Sequence, residues 1–319
     1  MKTIPKLPER HHYIPQFYLR GFSLDNKKLH ILDKKSQKPE DMYRYQAIEA
    51  IAYEKKLYTY RTKDGQTETL EQAFSEVEGK SKNIIQTLSQ RGNISEEERS
   101  ILSLFISFMY LRTPANKNET LNLQQALMEK MIRMKFHAPK ELLMKHYREK
   151  GFNGTDTEME NAIDCARDES RSKLVVEFST EYWLRQMLRL ANDIYPLFAI
   201  CDWEVIHSVK RYAFLTSDAP FMIIPGEEPH PFYGFGLLTP RVKKILPLTS
   251  ELCLVMHEPR ENPVIIHTTA DKKFFREINE FIFKHAHRFV FSPEKGKLEK
   301  LAKTRKELLI PWKNKFRVS

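Results

Sequence analysis

"LANDIYPLFAICDWEVIH", residues 190–207, is where the chain changes its period. Up to Ile194 the apolar residues keep helical spacing. From Trp203 through Val205 to His207 they alternate, as in a strand that buries one face. Pro196 is expected to close the helix, because it lacks an N–H and disfavours helical backbone before it. Read outward from this switch, the chain has strands over about 9–62, a helical sub-region over about 68–195, strands again over 200–292, and a basic tail over 293–319. The expectation is a single domain, 1–319, of α+β class: a mixed or antiparallel sheet built from N- and C-terminal strands, because neither set alone makes a sizeable one, with a large helical insertion in the middle.

"KLHILDKK" at 28–35 reads as a strand, and "KKLYTYRTKDGQT" as another that runs into an Asp64-Gly65 turn. In the insertion, Leu70, Phe74, Val77, Ile84 and Leu88 fall near one helical face. "SEEERSILSLFISFMYLRTP" opens on a capping box, Ser95 with Glu98, and Pro114 is expected to stop it just after Arg112. Residues 118–150 continue as basic helices, and one more helix is expected from about Ser172 to Ile194. "PFMIIP", "GFGLLTP" and "ELCLVMHEP" read as short strands, "ADKKFFREINEFIFKHA" as a helix and "HRFVFS" as the last strand.

Composition narrows the class. Hydrophobic residues make up 41% of the 319 and charged residues 29%, a globular balance rather than a disordered one. No apolar run approaches the roughly 20 residues that cross a bilayer, and the N-terminus lacks the apolar stretch of a secretory signal. A cytoplasmic protein with no membrane partner is therefore expected. Cys165, Cys201 and Cys253 show no metal-finger spacing and read as reduced thiols. The net charge of +10 and the nine Lys or Arg against three Glu after Ser292 suit nucleic acid or another phosphate-containing ligand. No Walker A loop, GxGxxG, HExxH or EF-hand loop is present, which argues against P-loop and Rossmann chemistry.

Three constellations could carry chemistry. In "ERHHYIPQFYLRGFS" (9–23), His11 and His12 are consecutive, so on an extended chain they point opposite ways. One can be functional while the other is solvated, and either could instead be satisfied by a backbone carbonyl. Arg20, between Phe17, Leu19 and Phe22, is expected near the core with an anionic partner. Glu71 and Glu78, two helical turns apart beside Phe74, either pair with Arg20 or Arg112 or line a site. In "YAFLTSDAP" (212–220) a strand ends in Thr216-Ser217-Asp218. Asp218 could hold a divalent cation, orient a histidine, or cap its own turn. Ser217 lacks the elbow of a hydrolase nucleophile.

These segments, with "LRTP" at 111–114 and "IN…HAHRFVFS" from 278 to 292, resemble a bacterial family, the domain of unknown function family 4238. The resemblance spans roughly 9–292, except for the basic helical block at 118–170. It implies that the polar motifs belong together but supplies no reaction. The matched residues are His11 or His12 (with His12 favoured as the motif histidine), Arg20, Glu71, Glu78, Arg112, Ser217, Asp218 and Asn279.

Two functions compete. One is a nucleic-acid-directed hydrolase suited to a defence or toxin role. His12, His11, Glu71, Glu78, Asp218 and Ser217 would be its catalytic candidates, with Arg20, Arg112 and Asn279 on the substrate and a divalent cation as the candidate cofactor. The other is a non-catalytic module that binds nucleic acid or protein, in which the same polar residues form a structural network.

Overall fold

A computed structural model describes residues 9–62, 64–168, 175–209, 212–226 and 236–303. The described chain divides into two compact units, one of residues 1–115 with 184–319 and one of residues 116–183. The architecture is α+β.

The first unit opens with β1 (Arg10–His12), α1 (Gln16–Arg20), β2 (Lys28–Asp33), a single turn α2 (Pro39–Met42) and β3 (Tyr43–Ala47). A 3-10 turn at Ile48–Ala50 leads to β4 (Tyr53–Lys55), β5 (Thr59–Arg61) and β6 (Thr67–Thr69). β1 pairs antiparallel with β4, placing His11 opposite Glu54 and His12 opposite Tyr53. β5 and β6 form a hairpin, and Gly65 at φ 78 supplies the left-handed residue its turn needs. Then come α3 (Glu71–Ser89) and α4 (Glu96–Leu111). α4 carries the expected capping box: Ser95 accepts from the Glu98 N–H, and Glu98 accepts from the Ser95 N–H.

Pro114 does not merely stop α4. It is the first residue of α5 (Pro114–Phe136), where its missing N–H costs nothing. α6 (Lys140–Glu149) and α7 (Asp156–Arg167) follow in the second unit. Leu143, Met159 and Ile163 form a small core there with Phe136 and Tyr147, and the Arg167 guanidinium ties α7 to the Phe136 and Ala138 carbonyls.

α8 (Thr180–Ala199) runs through Pro196 rather than ending before it. The proline removes one donor near the helix end, and the Ile200 N–H still reaches the Pro196 carbonyl at 3.2 Å. The part of this helix expected over 172–174 lies outside the described residues.

The remaining strands are β7 (Cys201–His207), β8 (Thr216–Ser217), β9 (Met222–Ile224), β10 (Lys243–Thr249), β11 (Leu252–Pro259), β12 (Ile265–Thr269) and β13 (Phe289–Ser292). They frame α9 (Lys272–His285), and α10 (Lys295–Lys303) closes the described chain. The tail beyond 303 lies outside it. β3-β2-β13-β8 form a four-stranded antiparallel sheet, which joins N- and C-terminal strands as expected. The expectation that neither set alone makes a sizeable sheet is corrected, because β12-β7-β11-β10-β9 form a five-stranded sheet from C-terminal strands alone. It is antiparallel except for the β12–β7 pair. Residues 236–240 of "GFGLLTP" are turn rather than strand, and its first two residues lie outside the described chain.

Tyr18 on α1 links the two sheets. Its hydroxyl donates to the Pro247 carbonyl on β10 at 2.6 Å and shares a 2.9 Å hydrogen bond with Thr216 on β8. Because a phenol has one proton, Thr216 is the donor in that second bond. Ile14, Leu19 and Phe22 are fully buried around it. The aromatic stretch at 13–22 thus anchors the N-terminal segment in the core of the first unit.

Candidate functional site

The histidine strand is held from one side by Tyr58. His11 is fully buried and stacks on the Tyr58 ring at 5.4 Å. Its Nδ1 accepts the Tyr58 backbone N–H at 2.7 Å, so that nitrogen carries no proton. The Tyr58 hydroxyl donates to the His12 carbonyl at 3.2 Å. His12 points the other way, as alternation requires, and is half-buried. Burial is the largest influence on its ring and lowers its pKa from 6.5; the Glu49 backbone raises it, and the Arg112 and Arg10 charges lower it. No hydrogen bond of normal geometry reaches His12 Nε2, which is sealed from solvent. The Glu49 backbone therefore acts on the ring without satisfying that atom.

Arg112 is the hub of this group. It caps the C-terminus of α4 and is 1% exposed. Nη1 donates to Glu78 Oε1 at 2.8 Å, Nη2 approaches Met109 Sδ at 3.8 Å, and the guanidinium lies 5.5 Å over the Phe74 ring. Its Nε–H has no partner. Burial works against the charged arginine, but Glu78, Tyr58 and Glu71 together raise its pKa. Glu71, the first residue of α3, is pushed up by burial first and by Glu78 second. The α3–α4 pairing thus brings Glu71, Glu78 and Arg112 together, with Tyr58 and His12 in their field.

The C-terminal candidates gather around a different task. Asp218 is buried and accepts three backbone N–H bonds from one stretch, His287 at 2.9 Å, Arg288 at 2.8 Å and Phe289 at 3.0 Å. Burial, the largest influence, raises its carboxyl to about 6 against the pull of those three bonds. From the other side, the Lys34 ammonium takes the carbonyls of Phe283 at 2.6 Å and Ala286 at 2.5 Å at the end of α9. The turn from α9 into β13 is therefore held at its carbonyls by a lysine and at its N–H groups by an aspartate. Ser217 Oγ accepts from the Ala219 N–H at 3.2 Å. Asn279 on α9 mimics a neighbouring strand: its Oδ1 accepts from the Leu215 N–H, and its Nδ2 donates to the Ala213 carbonyl.

Arg20 is corrected. Its guanidinium is not near the core but exposed, bonded to Gln16 one turn back on the same helix. A five-residue helix turns Tyr18 and Leu19 inward, which leaves position 20 outside. Tyr13 feels both Asp218 and Tyr58, along with Glu54 and Arg288. The two groups therefore flank one tyrosine, but the Asp218 carboxylate is committed to backbone.

Tyr58, Tyr13 and Lys34 were not singled out from the sequence. Tyr58 sits in an alternating aromatic pair with Tyr60, a pattern that signals strand rather than site, and Lys34 reads as one more surface lysine. Among the described residues, no three or more His, Cys, Asp or Glu side chains are grouped to hold a metal ion. None of the candidates lines the apolar groove bounded by Tyr110, Ile194, Leu197 and Leu238. No helix among the described residues is long and apolar enough to cross a membrane.

Fold and site together define an α+β protein in which two polar clusters, far apart in sequence, secure an N-terminal histidine strand and a C-terminal helix–strand turn. This chain belongs to the family described as protein of unknown function (DUF4238), whose model matches residues 10–296. No curated protein and no solved structure matches it.

Proposed function

We propose that this protein is a nucleic-acid-directed hydrolase of nuclease type with His12 as its general base. The observation that carries the reading is His12 Nε2, a buried ring nitrogen with no hydrogen-bond partner in the chain, in the field of a buried arginine; to act as a base it has to be uncovered to the reacting water when substrate binds. A histidine kept neutral by burial is a base at neutral pH. Glu71, whose carboxyl is pushed up by burial, holds its proton to higher pH than an ordinary glutamate. Both residues lie in the field of Arg112, and pKa values pushed apart in this way are how acid and base roles are divided in a site. Arg112 is buried and paired with Glu78, so it contributes through the positive field it sets at His12. The formal charge of +10 favours a polyanionic substrate. Among the described residues no three or more His, Cys, Asp or Glu side chains are grouped to hold a divalent cation.

The test is cleavage of single- and double-stranded DNA and RNA by the purified full chain, with magnesium, with manganese and with chelator. The parent should cleave at least one substrate, and His12→Ala should lose about 100-fold or more, the usual worth of a positioned base. Absence of cleavage in every condition, or His12→Ala cleaving at the parent's rate, would sink the reading.

One set of observations favours the second reading, a non-catalytic nucleic-acid- or protein-binding module. His11, Ser217, Asp218 and Asn279 all spend hydrogen bonds on backbone. Under that reading, nucleic acid is retained without cleavage, and retention weakens steeply as salt rises.

A further inference from the structure

The five-stranded sheet carries a polar cluster that neither reading uses. His207, at the end of β7, and His267, on β12, meet through their rings, with Nε2 of one 2.9 Å from Nδ1 of the other. His267 sits on the edge strand of the sheet. Arg91 leaves the C-terminus of α3 with left-handed backbone, φ 59, and its guanidinium donates to Thr269 Oγ1 on the same edge strand at 3.2 Å. Burial is the largest influence on both histidines, and the other charges acting on them are Arg91 and, for His207, His267 itself. All of these lower the tendency to protonate; on His267 the Gly92 backbone, in the α3–α4 connection, works the other way but is the smallest of its influences. No carboxylate is among the influences. Glu204 on β7 faces the opposite side of the sheet, where it is bonded to His257 and Thr268.

The chemistry of the pair is asymmetric in protons. With both rings neutral, one N–H donates to the other's lone pair. One added proton leaves that bond intact. A second removes the acceptor, and two imidazolium rings then face each other beside a guanidinium. We propose that His207, His267 and Arg91 form an acid-sensitive latch that holds the edge strand β12 and the α3–α4 connection to β7 at neutral pH and releases them on acidification. What is released matters, because β12 leads into α9, which carries Asn279, and the connection joins the helices that carry Glu78 and Arg112. The inference does not depend on the protein being a hydrolase.

Hydrogen exchange of the full chain, corrected at each pH for intrinsic exchange rates, tests it. Between pH 7.5 and 5, protection over 90–94 and 265–269 should fall in the parent by about tenfold or more, the effect of one unit of pKa difference. In His267→Asn, which keeps an amide where Nδ1 was, protection should change by no more than about twofold. His207→Gln serves the same purpose at the other ring, should the first variant not fold. Protection that survives acid in the parent overturns the latch. So does an equal loss in the parent and in both variants. In the parent alone, ring titration of both histidines with no accompanying loss of protection overturns it as well.

Discussion

Asp218 gives its two carboxylate oxygens to three backbone N–H groups, whereas His12 keeps a buried ring nitrogen that nothing in its own chain satisfies. Both residues lie in conspicuous polar motifs; Asp218 is buried and His12 half-buried. The difference is in how the environment uses them. Around Asp218 the chain brings Lys34, Ser217 and Asn279 to bear on part-buried backbone groups at the end of α9 and next to β8. Around His12 and Arg112 the chain pairs Glu78 but leaves one atom of each hub residue open. A polar residue whose capacity is filled by backbone is explained by the fold. One whose capacity is left over needs a further partner.

The sharpest way to break this contrast is Asp218→Ala. It leaves three part-buried N–H groups of the α9–β13 turn without their carboxylate acceptor, each worth roughly 1–3 kcal/mol where water does not replace it. The expected loss is about 3–6 kcal/mol in denaturant unfolding, at the large end for a single substitution. A loss below about 1 kcal/mol would mean that the clamp is incidental and that Asp218 is free for other work.

Arg112→Ala should follow. It strands Glu78 beside Glu71 at the head of α3. Because the Glu78 side chain is 22% exposed, the cost should sit near the low end for a broken buried pair, about 3 kcal/mol. The double change with Glu78→Gln should recover part of it, since the uncompensated charge is gone. An Arg112→Ala protein as stable as the parent but without activity would move the arginine from the fold to the substrate.

Much of the fold could be read from pattern, and the losses have physical causes. The capping box at Ser95, the hairpin at Gly65 and the last strand at 289–292 each follow from local chemistry. β10 was hidden because Lys243, Lys244 and Pro247 break its apolar pattern. Yet Lys244 is buried, with its ammonium bonded to the His257 carbonyl, and Pro247 sits at an irregularity in the ladder with β11. β12 has only five residues, two of them threonine and one histidine, and without β10 and β12 the five-stranded sheet could not be foreseen. In the site, Arg112 followed from its place at the end of a capped helix between apolar residues. Arg20 had a similar sequence setting but fell on the outward side of a one-turn helix. Asp218 was conspicuous as a polar residue after an apolar strand. Its true partners, the N–H groups of residues 287–289, are backbone about 70 positions away and leave no trace in side-chain pattern.

The two clusters should also answer pH in opposite directions. The Asp218 carboxyl is raised to about 6 from an ordinary 3.8, so between those values the native state binds more protons than the unfolded chain. Its contribution is present below the unfolded value and is lost as pH rises through 6. Relative to Asp218→Asn, which does not titrate, the parent should lose about 2–3 kcal/mol between pH 4 and 7. Denaturant melts of the two proteins across that range measure it, and parallel curves would place the carboxyl in a wetter setting than the three N–H bonds imply.

His12 gives the smallest effect on stability and the most direct reading of the contrast. Its pKa is lowered in the native state, so the unfolded chain binds the proton more readily. The histidine's contribution is complete above its unfolded value near 6.5 and falls away as pH drops below it, the reverse of Asp218. At pH 7.5, His12→Gln should unfold within about 1 kcal/mol of the parent, because the ring has no hydrogen bond at Nε2 to lose and its packing is half exposed. Below pH 6 the variant should become the more stable of the two, since it no longer shelters a ring that wants to charge. A residue that is nearly neutral to stability at pH 7.5, while its removal abolishes turnover, acts on something outside the fold. If His12→Gln instead costs as much as Asp218→Ala, Nε2 is filled in solution by a fixed internal partner, such as a buried water shared with the Arg112 Nε–H, and the two clusters are one kind of structure after all.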